Sequence, residues 1–421
     1  MFVRNPVTGD PRVVREALAL VGAGHAVTVI GRSGRGMPRR ETHHGVSVLR
    51  LPRLGERLRG LPRAALGRVR RGETESAPGG EGGCEVRPVA PDRRRSQHRR
   101  RDRLRTEIGE ANYLASAVAA GARLRADAYH AHDLDTLEAA RLCARLTGAR
   151  LIYDSHELWI DWQGNKCGAP EWRLERWRAI ETRGARAADR VITVSDALAD
   201  ELVRLYDIER PLVLRNCAPL RPLTRSTRLR ALIGGAATRP IVLYQGGFST
   251  GRGLDGLVTA AELLPEVDVV LIGAASPYRD ALARRAEGSP HRNVHVLPRV
   301  SLDALWELTV GADLGVVLTE PVCLSYEMSL SNKVFEYMVA GLPILGSTIA
   351  SHRALADETG ALLLADAADP ADLAAKVRAL AGDPERLLVM GRRARAWAER
   401  KYNAEAEQAR LVLAYAALGA E

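Results

Sequence analysis

Apolar residues follow two alternating rhythms along most of this 421-residue chain. Short continuous apolar runs have the length of strands, and between them lie longer stretches with apolar residues three and four apart, the spacing of one helix face. "DPRVVREALALVGAGHAVTVIGR" (10–32) predicts a helix, a Gly-Ala-Gly stop and the strand "AVTVIG", and "GVSVLRL" (45–51) is a second strand. A helix over about 106–125, the strand "AYHAH", a helix over about 136–146, "RLIYDSHE", a long helix over about 171–188, "RVITVS", a helix from Asp196 and "PLVLRN" follow. The second half repeats the alternation with "PIVLYQGG", a helix from Leu254, "VDVVLIG", "NVHVLPR", a helix from Asp303, "LGVVLT", a helix over 333–340, "PILGS", "GALLL" and helical sequence over about 370–418. This order predicts an α/β protein with parallel sheets covered by helices.

Two stretches break the rhythm. Around 218–240 the composition turns to Pro, Arg and Thr, which reads as a domain junction. Two Rossmann-like domains facing one another across a cleft are therefore expected, 1–218 and 219–400, followed by a last helix over 401–421. From about 52 to 105 the pattern dissolves into Arg, Gly, Pro and Glu, with no apolar set able to offset the entropy of ordering it. For 67–105, a disordered insertion, a cationic loop docking on an anionic membrane, and the product of a shifted reading frame are the competing accounts. "MFVRN" is short for a first strand, so the true start lies upstream or the sheet begins with a stub.

Composition adds exclusions. No apolar run approaches the roughly 20 residues that span a bilayer, and no signal-peptide pattern opens the chain. The five cysteines are scattered without a C-x-x-C pair, which suits reduced thiols in a cytoplasm. A net charge of +10 raises nucleic acid and anionic membranes as partners, but much of it sits in "APDRRRSQHRRRDRLR" (90–105) and only four lysines occur, a bias that fits codon composition.

Ligands of such sheets sit beyond the carboxyl ends of strands, which singles out Gly246 and the loops over 130–135, 154–157 and 331–336. In "SLSNKVFEYMVAGLPIL" (329–345), Ser331 and Asn332 read as N-caps of a short helix stopped by Gly341 and Pro343. The start of such a helix suits a phosphate. Glu336, one turn further in, suits the two vicinal hydroxyls of a ribose; the bland alternative is an exposed helix charge. In "LYQGGFSTGRGLDGL" (243–257), Gly246 and Gly247 would let backbone approach a phosphate and Arg252 could pair with it, although a tight turn explains the glycines equally well.

These pieces, with "VRNPVTGDPRVVREALALVGAGHAVTVIGR", "YHAHDLDTLEAA", "LIYDSHELW", "RVITVS" and "KYNAEAEQARLVLAYAAL", resemble in order and spacing the retaining GT-B glycosyltransferases of family 4. The resemblance implies a nucleotide-sugar site in the C-terminal half, an acceptor site in the N-terminal half, and a last helix, 401–421, that crosses back to the first domain. It makes Glu336 the ribose-binding carboxylate, Arg252 a diphosphate contact, Gly246 and Gly247 the close-approach loop, and Pro298, Arg299 and Val300 a backbone contact to the base. Ser331, Asn332 and Lys333 join the donor side. His132 becomes the catalytic, acceptor-side histidine, with His130 as the alternative; strand alternation puts both on one face. Arg12, His156 and Glu157 complete the acceptor-side candidates.

Two departures stand out. Many members carry a glutamate eight residues before the ribose-binding one, where this chain has Met328 beside Glu327, and an arginine just after the loop's first glycine, where it has Gly247. The resemblance implies a UDP- or GDP-sugar co-substrate, no further cofactor, and a sugar, lipid-linked or small-molecule acceptor. The scattered thiols and the missing signal pattern predict a cytoplasmic protein, and the polybasic stretch within 67–105 adds the expectation of peripheral contact with the anionic inner face of the membrane. "HDLDT" contains the D-x-D spelling that holds a metal in another glycosyltransferase fold, but Asp133 or Asp135 capping the next helix is the simpler account, and no metal is expected. Rival readings are a sugar-nucleotide epimerase, which needs no external acceptor, and a basic nucleic-acid-binding protein, which lacks interleaved aromatics for stacking.

Overall fold

The computed structural model describes residues 1–8, 10–34, 36–52, 94–236 and 238–420. Each strand read from the sequence forms: Thr28–Arg32 (β1), Val46–Leu51 (β3), Ala128–His132 (β4), Arg150–Ser155 (β5), Arg190–Thr193 (β6), Leu212–Val213 (β7), Ile241–Gln245 (β8), Asp268–Gly273 (β9), Val294–Pro298 (β10), Leu314–Val317 (β11), Ile344–Ser347 (β12) and Leu362–Ala365 (β13). One further strand, Arg40–His43 (β2), pairs antiparallel with β3 through a turn in which His44 (φ 47°) and Gly45 (φ 85°) are both left-handed. That is the turn geometry that joins two strands tightly, and the exposed, polar "RETH" hid the strand from a search for apolar runs. Arg50 of β3 is fully buried behind it, donating to the Pro6 and Pro38 carbonyls at 3.0 and 2.9 Å and to Glu41 Oε1 at 2.5 Å.

The described residues form two compact units. The first holds Met1–Thr193, Ala199–Val213 and Gln408–Glu421, and the second Val194–Leu198 and Leu214–Glu407. In the first, strands run in the orders β2–β3–β1 and β4–β5–β6–β7, and Phe2 bridges the two groups by pairing in parallel with both Ile30 and Ala131. Phe2 N–H donates to the His130 carbonyl at 2.7 Å and Phe2 O accepts from His132 N–H at 3.0 Å, so Phe2 stitches the end of β4 into place. The segment 53–93 lies outside the described residues. From residue 94 onward the expectation of irregular chain is wrong: a helix runs Arg94–Leu124. Arginine is a good helix former, and the stretch lacked only the apolar stripe by which it could be read.

A buried carboxylate tunes the first unit's stability. Glu181, on the helix Glu171–Ala187, is 1% exposed and accepts from Tyr153 Oη at 2.6 Å and Tyr206 Oη at 2.7 Å. Burial pushes its pKa up to about 7 against the two tyrosine hydrogen bonds. A raised carboxyl contributes stability that is whole below its ordinary pKa near 4.5 and is lost as pH climbs through 7. Glu181→Gln should therefore be more stable than the parent by roughly 1–3 kcal/mol at pH 8, with the gap closing toward pH 5 in urea titrations. An equal gap at both pH values would contradict this account.

The second unit's sheet runs β10–β9–β8–β11–β12–β13, entirely parallel. Chain order along it is 3-2-1-4-5-6, so direction reverses between β8 and β11, the position where doubly wound sheets bind ligands at their carboxyl edge. Alternate residues fill two cores: Val242, Tyr244, Val269 and Leu271 on one face, Ile241, Leu243, Val270 and Ile272 on the other. The 218–240 stretch contains a helix, Arg228–Ile233, with Leu229 fully buried. Helices Pro277–Glu287 and Ala350–Thr359 also escaped the sequence reading, although Ser276 capping Arg279 N–H ahead of Pro277 is a legible start signal. Among the described residues no helix is long and apolar enough to cross a membrane.

Candidate active site

At the carboxyl end of β8 the chain turns through Gly246 at φ 134°, with its N–H donating to the Ile272 carbonyl. A β-carbon there would lie 2.3 Å from Lys333 Cε and 2.8 Å from Nζ, so the lysine packs directly against the bare glycine. Lys333 is 6% exposed, and its ammonium lies 5.4 Å from the Tyr244 ring centroid and 3.4 Å from Ser331 Oγ. Gly247 is held by its carbonyl, which accepts from Tyr244 Oη at 2.5 Å. Arg252, further along the loop, lays its guanidinium 4.9 Å from the Tyr326 ring centroid, and Gly253 N–H donates to Glu320 Oε1 at 3.1 Å.

Lys333 and Glu336 lie on the helix Asn332–Val339, which Gly341 (φ 62°) ends as expected. Its start differs from the sequence reading. Ser331 occupies the cap position, but its hydroxyl makes no cap hydrogen bond and meets Lys333 instead, while Asn332 is already the first helical residue. Glu336 is half-buried rather than an exposed charge: Oε2 accepts from Gln245 Nε2 at 2.5 Å. Gln245 was not singled out from the sequence. Pro298 ends β10 and Arg299 and Val300 follow it on the same sheet edge, Pro298 and Arg299 exposed. The structure thus gathers Gly246, Lys333, Ser331 and, through Gln245, Glu336.

In the first unit, His130 and His132 end β4 on one face, as alternation required, their rings stacked 4.2 Å apart. His156 stacks on the other side of His132 at 5.6 Å. Asp154, at the end of the neighbouring β5, faces all three: Oδ2 lies 2.7 Å from His156 Nε2, 3.2 Å from His132 Nδ1 and 3.7 Å from His130 Nε2. His130 differs from His132 in its second partner, since its Nδ1 lies 2.8 Å from Tyr415 Oη of the C-terminal helix. His132 Nε2 instead lies 3.9 Å from Glu16.

His156 has a carboxylate at each nitrogen, with Asp133 Oδ1 3.0 Å from Nδ1. Burial works to lower its pKa, but Asp133 and Asp154 outweigh it and hold the ring as an imidazolium. The same pairing holds Asp154 well below the ordinary carboxylate range in spite of burial. Burial and the adjacent His132 bring His130 down to about 3, so it is neutral. Burial and Asp154 push Glu16 up to about 7. Arg12 sits close by, its own burial outweighed by Asp10, Asp133, Asp154 and Glu157. Asp10 caps the first helix at Arg12 N–H and Val13 N–H.

The capping account of Asp133 and Asp135 fails. Asp133 stands at the cap position with φ 63° but makes no side-chain cap bond, its carboxylate being drawn to His156, while Asp135 faces Arg4 at 3.8 Å. The two carboxylates therefore serve different partners and do not converge as a D-x-D metal pair. Glu16, His132, Asp154 and His156 each place one ligand atom within 4.8 Å of the others, a spacing that could hold a divalent ion. His156 would have to give up one of its two ring protons to do so.

Two family models match the chain, a glycosyl transferase 4-like domain over residues 68–217 and glycosyl transferases group 1 over 239–383. Alpha-maltose-1-phosphate synthase of Mycolicibacterium smegmatis is 28% identical over 280 residues, 61% of this chain and 70% of that protein. D-inositol 3-phosphate glycosyltransferase of Xylanimonas cellulosilytica is 30% identical over 251 residues, 54% and 58% of the two. Among solved structures, sucrose-phosphate synthase of Thermosynechococcus elongatus superposes with a TM-score of 0.70 at 18% identity, covering 97% of this chain and 93% of that one. Anabaena HepE in complex with UDP-glucose gives 0.67 at 14% identity, covering 99% and 98%. The chain belongs to the glycosyl transferases group 1 family and is a retaining glycosyltransferase of the GT-B fold that uses a nucleotide-sugar donor.

Proposed function

We propose that the chain transfers a hexosyl group from a UDP- or GDP-sugar, UDP-glucose foremost, to a hydroxyl of a sugar, lipid-linked or small-molecule acceptor. The pathways it fits are cell-envelope glycan, glycolipid or natural-product glycoside synthesis. The observation that carries the donor side is Glu336 fixed by Gln245 one helical turn from Lys333, which is itself packed on Gly246. The carboxylate suits a ribose, and the lysine, Arg252 and the helix start suit the diphosphate. Breaking the anomeric bond develops charge on the diphosphate, so cations and N–H groups aimed there lower the barrier. On the acceptor side the reading assigns His132, backed by Asp154, to the reacting hydroxyl, whose proton leaves toward the departing phosphate. His130, neutral and bound to Tyr415, supports that histidine rather than replacing it.

Glu336→Ala should weaken nucleotide-sugar binding by roughly 1–3 kcal/mol by calorimetry while the fold survives, because charge-assisted hydrogen bonds to the ribose are lost. Unchanged affinity would sink the donor assignment. Glycoside formed from UDP-glucose or GDP-glucose only when an acceptor is added supports transfer, whereas an altered sugar-nucleotide without acceptor would support the epimerase.

A further inference from the structure

The carboxylate assigned to the ribose does not stand alone. Gln245, the last residue of β8, is 3% exposed and reaches across to the helix Asn332–Val339, where its Nε2 donates to Glu336 Oε2 at 2.5 Å. The other end of the same amide, Oε1, accepts from Thr309 Oγ1 at 2.7 Å, and Thr309, on the helix Leu302–Thr309, is 2% exposed. The backbone is tied as well: Gln245 N–H donates to Tyr337 Oη at 3.2 Å, and Tyr337 Oη donates to the Leu243 carbonyl at 3.0 Å. The orientation of the amide is fixed by chemistry, because a carboxylate oxygen can only accept and so draws the NH2 end, leaving the carbonyl end for the hydroxyl. The Thr309 proton is shared with the Leu305 carbonyl at 2.7 Å, which anchors the hydroxyl to its own helix.

We propose that Gln245 is a positioning residue for donor recognition: the buried relay Thr309–Gln245–Glu336 fixes the plane of the Glu336 carboxylate so that it meets both ribose hydroxyls of the nucleotide. The inference rests on the reading of Glu336 as the ribose partner. A glutamate on a helix surface samples several rotamers, and a ligand that needs one of them loses affinity in proportion to the time spent in the others. A side-chain amide anchored in the sheet and clamped by a second helix removes that loss before the nucleotide arrives. Gln245→Leu keeps the size and the burial and removes both side-chain hydrogen bonds. Thr309→Val removes only the far link, and Gln245 keeps its contact with Glu336.

The test uses the full chain, with UDP and GDP and their 2′,3′-dideoxy counterparts titrated calorimetrically, the nucleotide that binds the parent being the informative one. The parent should bind the ribonucleotide at least tenfold more tightly than the dideoxy form, because a site built for hydroxyls leaves polar groups unpaired without them. Gln245→Leu should lose about tenfold for the ribonucleotide and almost nothing for the dideoxy form, and Thr309→Val about threefold with the same selectivity. A general loosening of the fold would weaken both nucleotides alike, so the ratio between them separates positioning from stability. If either folded variant keeps the parent's ratio, the relay does not position Glu336 and the proposal is overturned. If instead the parent shows no ratio and Glu336→Ala binds like the parent, the ribose reading itself has failed.

Discussion

Arg252→Ala is expected to lower kcat by about 10²-fold or more while nucleoside affinity changes little, the signature of a group whose partner gains charge as the bond breaks. The expectation rests on how the guanidinium is held. Gly251 and Gly253, flanking it, are both left-handed (φ 82° and 64°), and a β-carbon on Gly253 would come 2.6 Å from Leu318 Cβ, so the loop is clamped against the end of β11. Glu320 reinforces the clamp, donating its N–H to the Gly251 carbonyl and accepting from Gly253 N–H. The Tyr326 ring supports the guanidinium. A cation held in this way needs little reorganisation at the moment of reaction. Under the reading proposed above, Arg252 and Lys333 are the two cations that serve the diphosphate. Steady-state kinetics with every sugar-nucleotide that binds decides the matter: kcat preserved throughout would make Arg252 only a surface charge.

What could be read from the sequence depended on whether the signal was local. Gly246, Lys333 and Glu336 stand out because strand, glycine turn and helix start are each encoded within a few consecutive residues, and the Rossmann alternation needs only periodicity. Gln245 carries no linear signal: a glutamine closing an apolar strand looks like a boundary residue, and its partners Thr309 and Glu336 lie 64 and 91 positions away. Asp154 and His156 could be seen as a polar strand end, but the partner that makes His156 an imidazolium, Asp133, comes from the next strand over. Local rules even misled there, since an aspartate before a helix ordinarily caps it. Tertiary electrostatics drew Asp133 away and left it at a positive φ, the kind of local cost that gathers at functional sites. Tyr415, the second partner of His130, arrives from the far end of the chain.

The histidine cluster gives the second large effect. Asp154→Asn, which keeps size and shape, is expected to destabilise the protein by about 3 kcal/mol near pH 7, because it removes the carboxylate paired with a buried imidazolium. Around the site, His156 would keep Asp133, Arg12 would lose one of its four acidic neighbours, and Glu16, which Asp154 repels, would gain; that last relief offsets part of the loss. His130, His132 and Tyr415, packed on the same side, carry no compensating negative charge at neutral pH. The sign of the pH dependence follows from the two shifts. Asp154, with its pKa depressed, contributes stability present above about pH 4 and lost only as pH falls through its lower folded value. His156, with its pKa raised, contributes stability whole below about pH 6.5 and lost as pH rises through its higher folded value. The parent should therefore hold its stability well past pH 7, and the asparagine variant should begin to lose it at lower pH because His156 then has one carboxylate instead of two. Urea titrations from pH 5 to pH 9 on both proteins measure this directly. A variant within about 0.5 kcal/mol of the parent, with the same alkaline slope, would mean that His156 is not held as an imidazolium by Asp154.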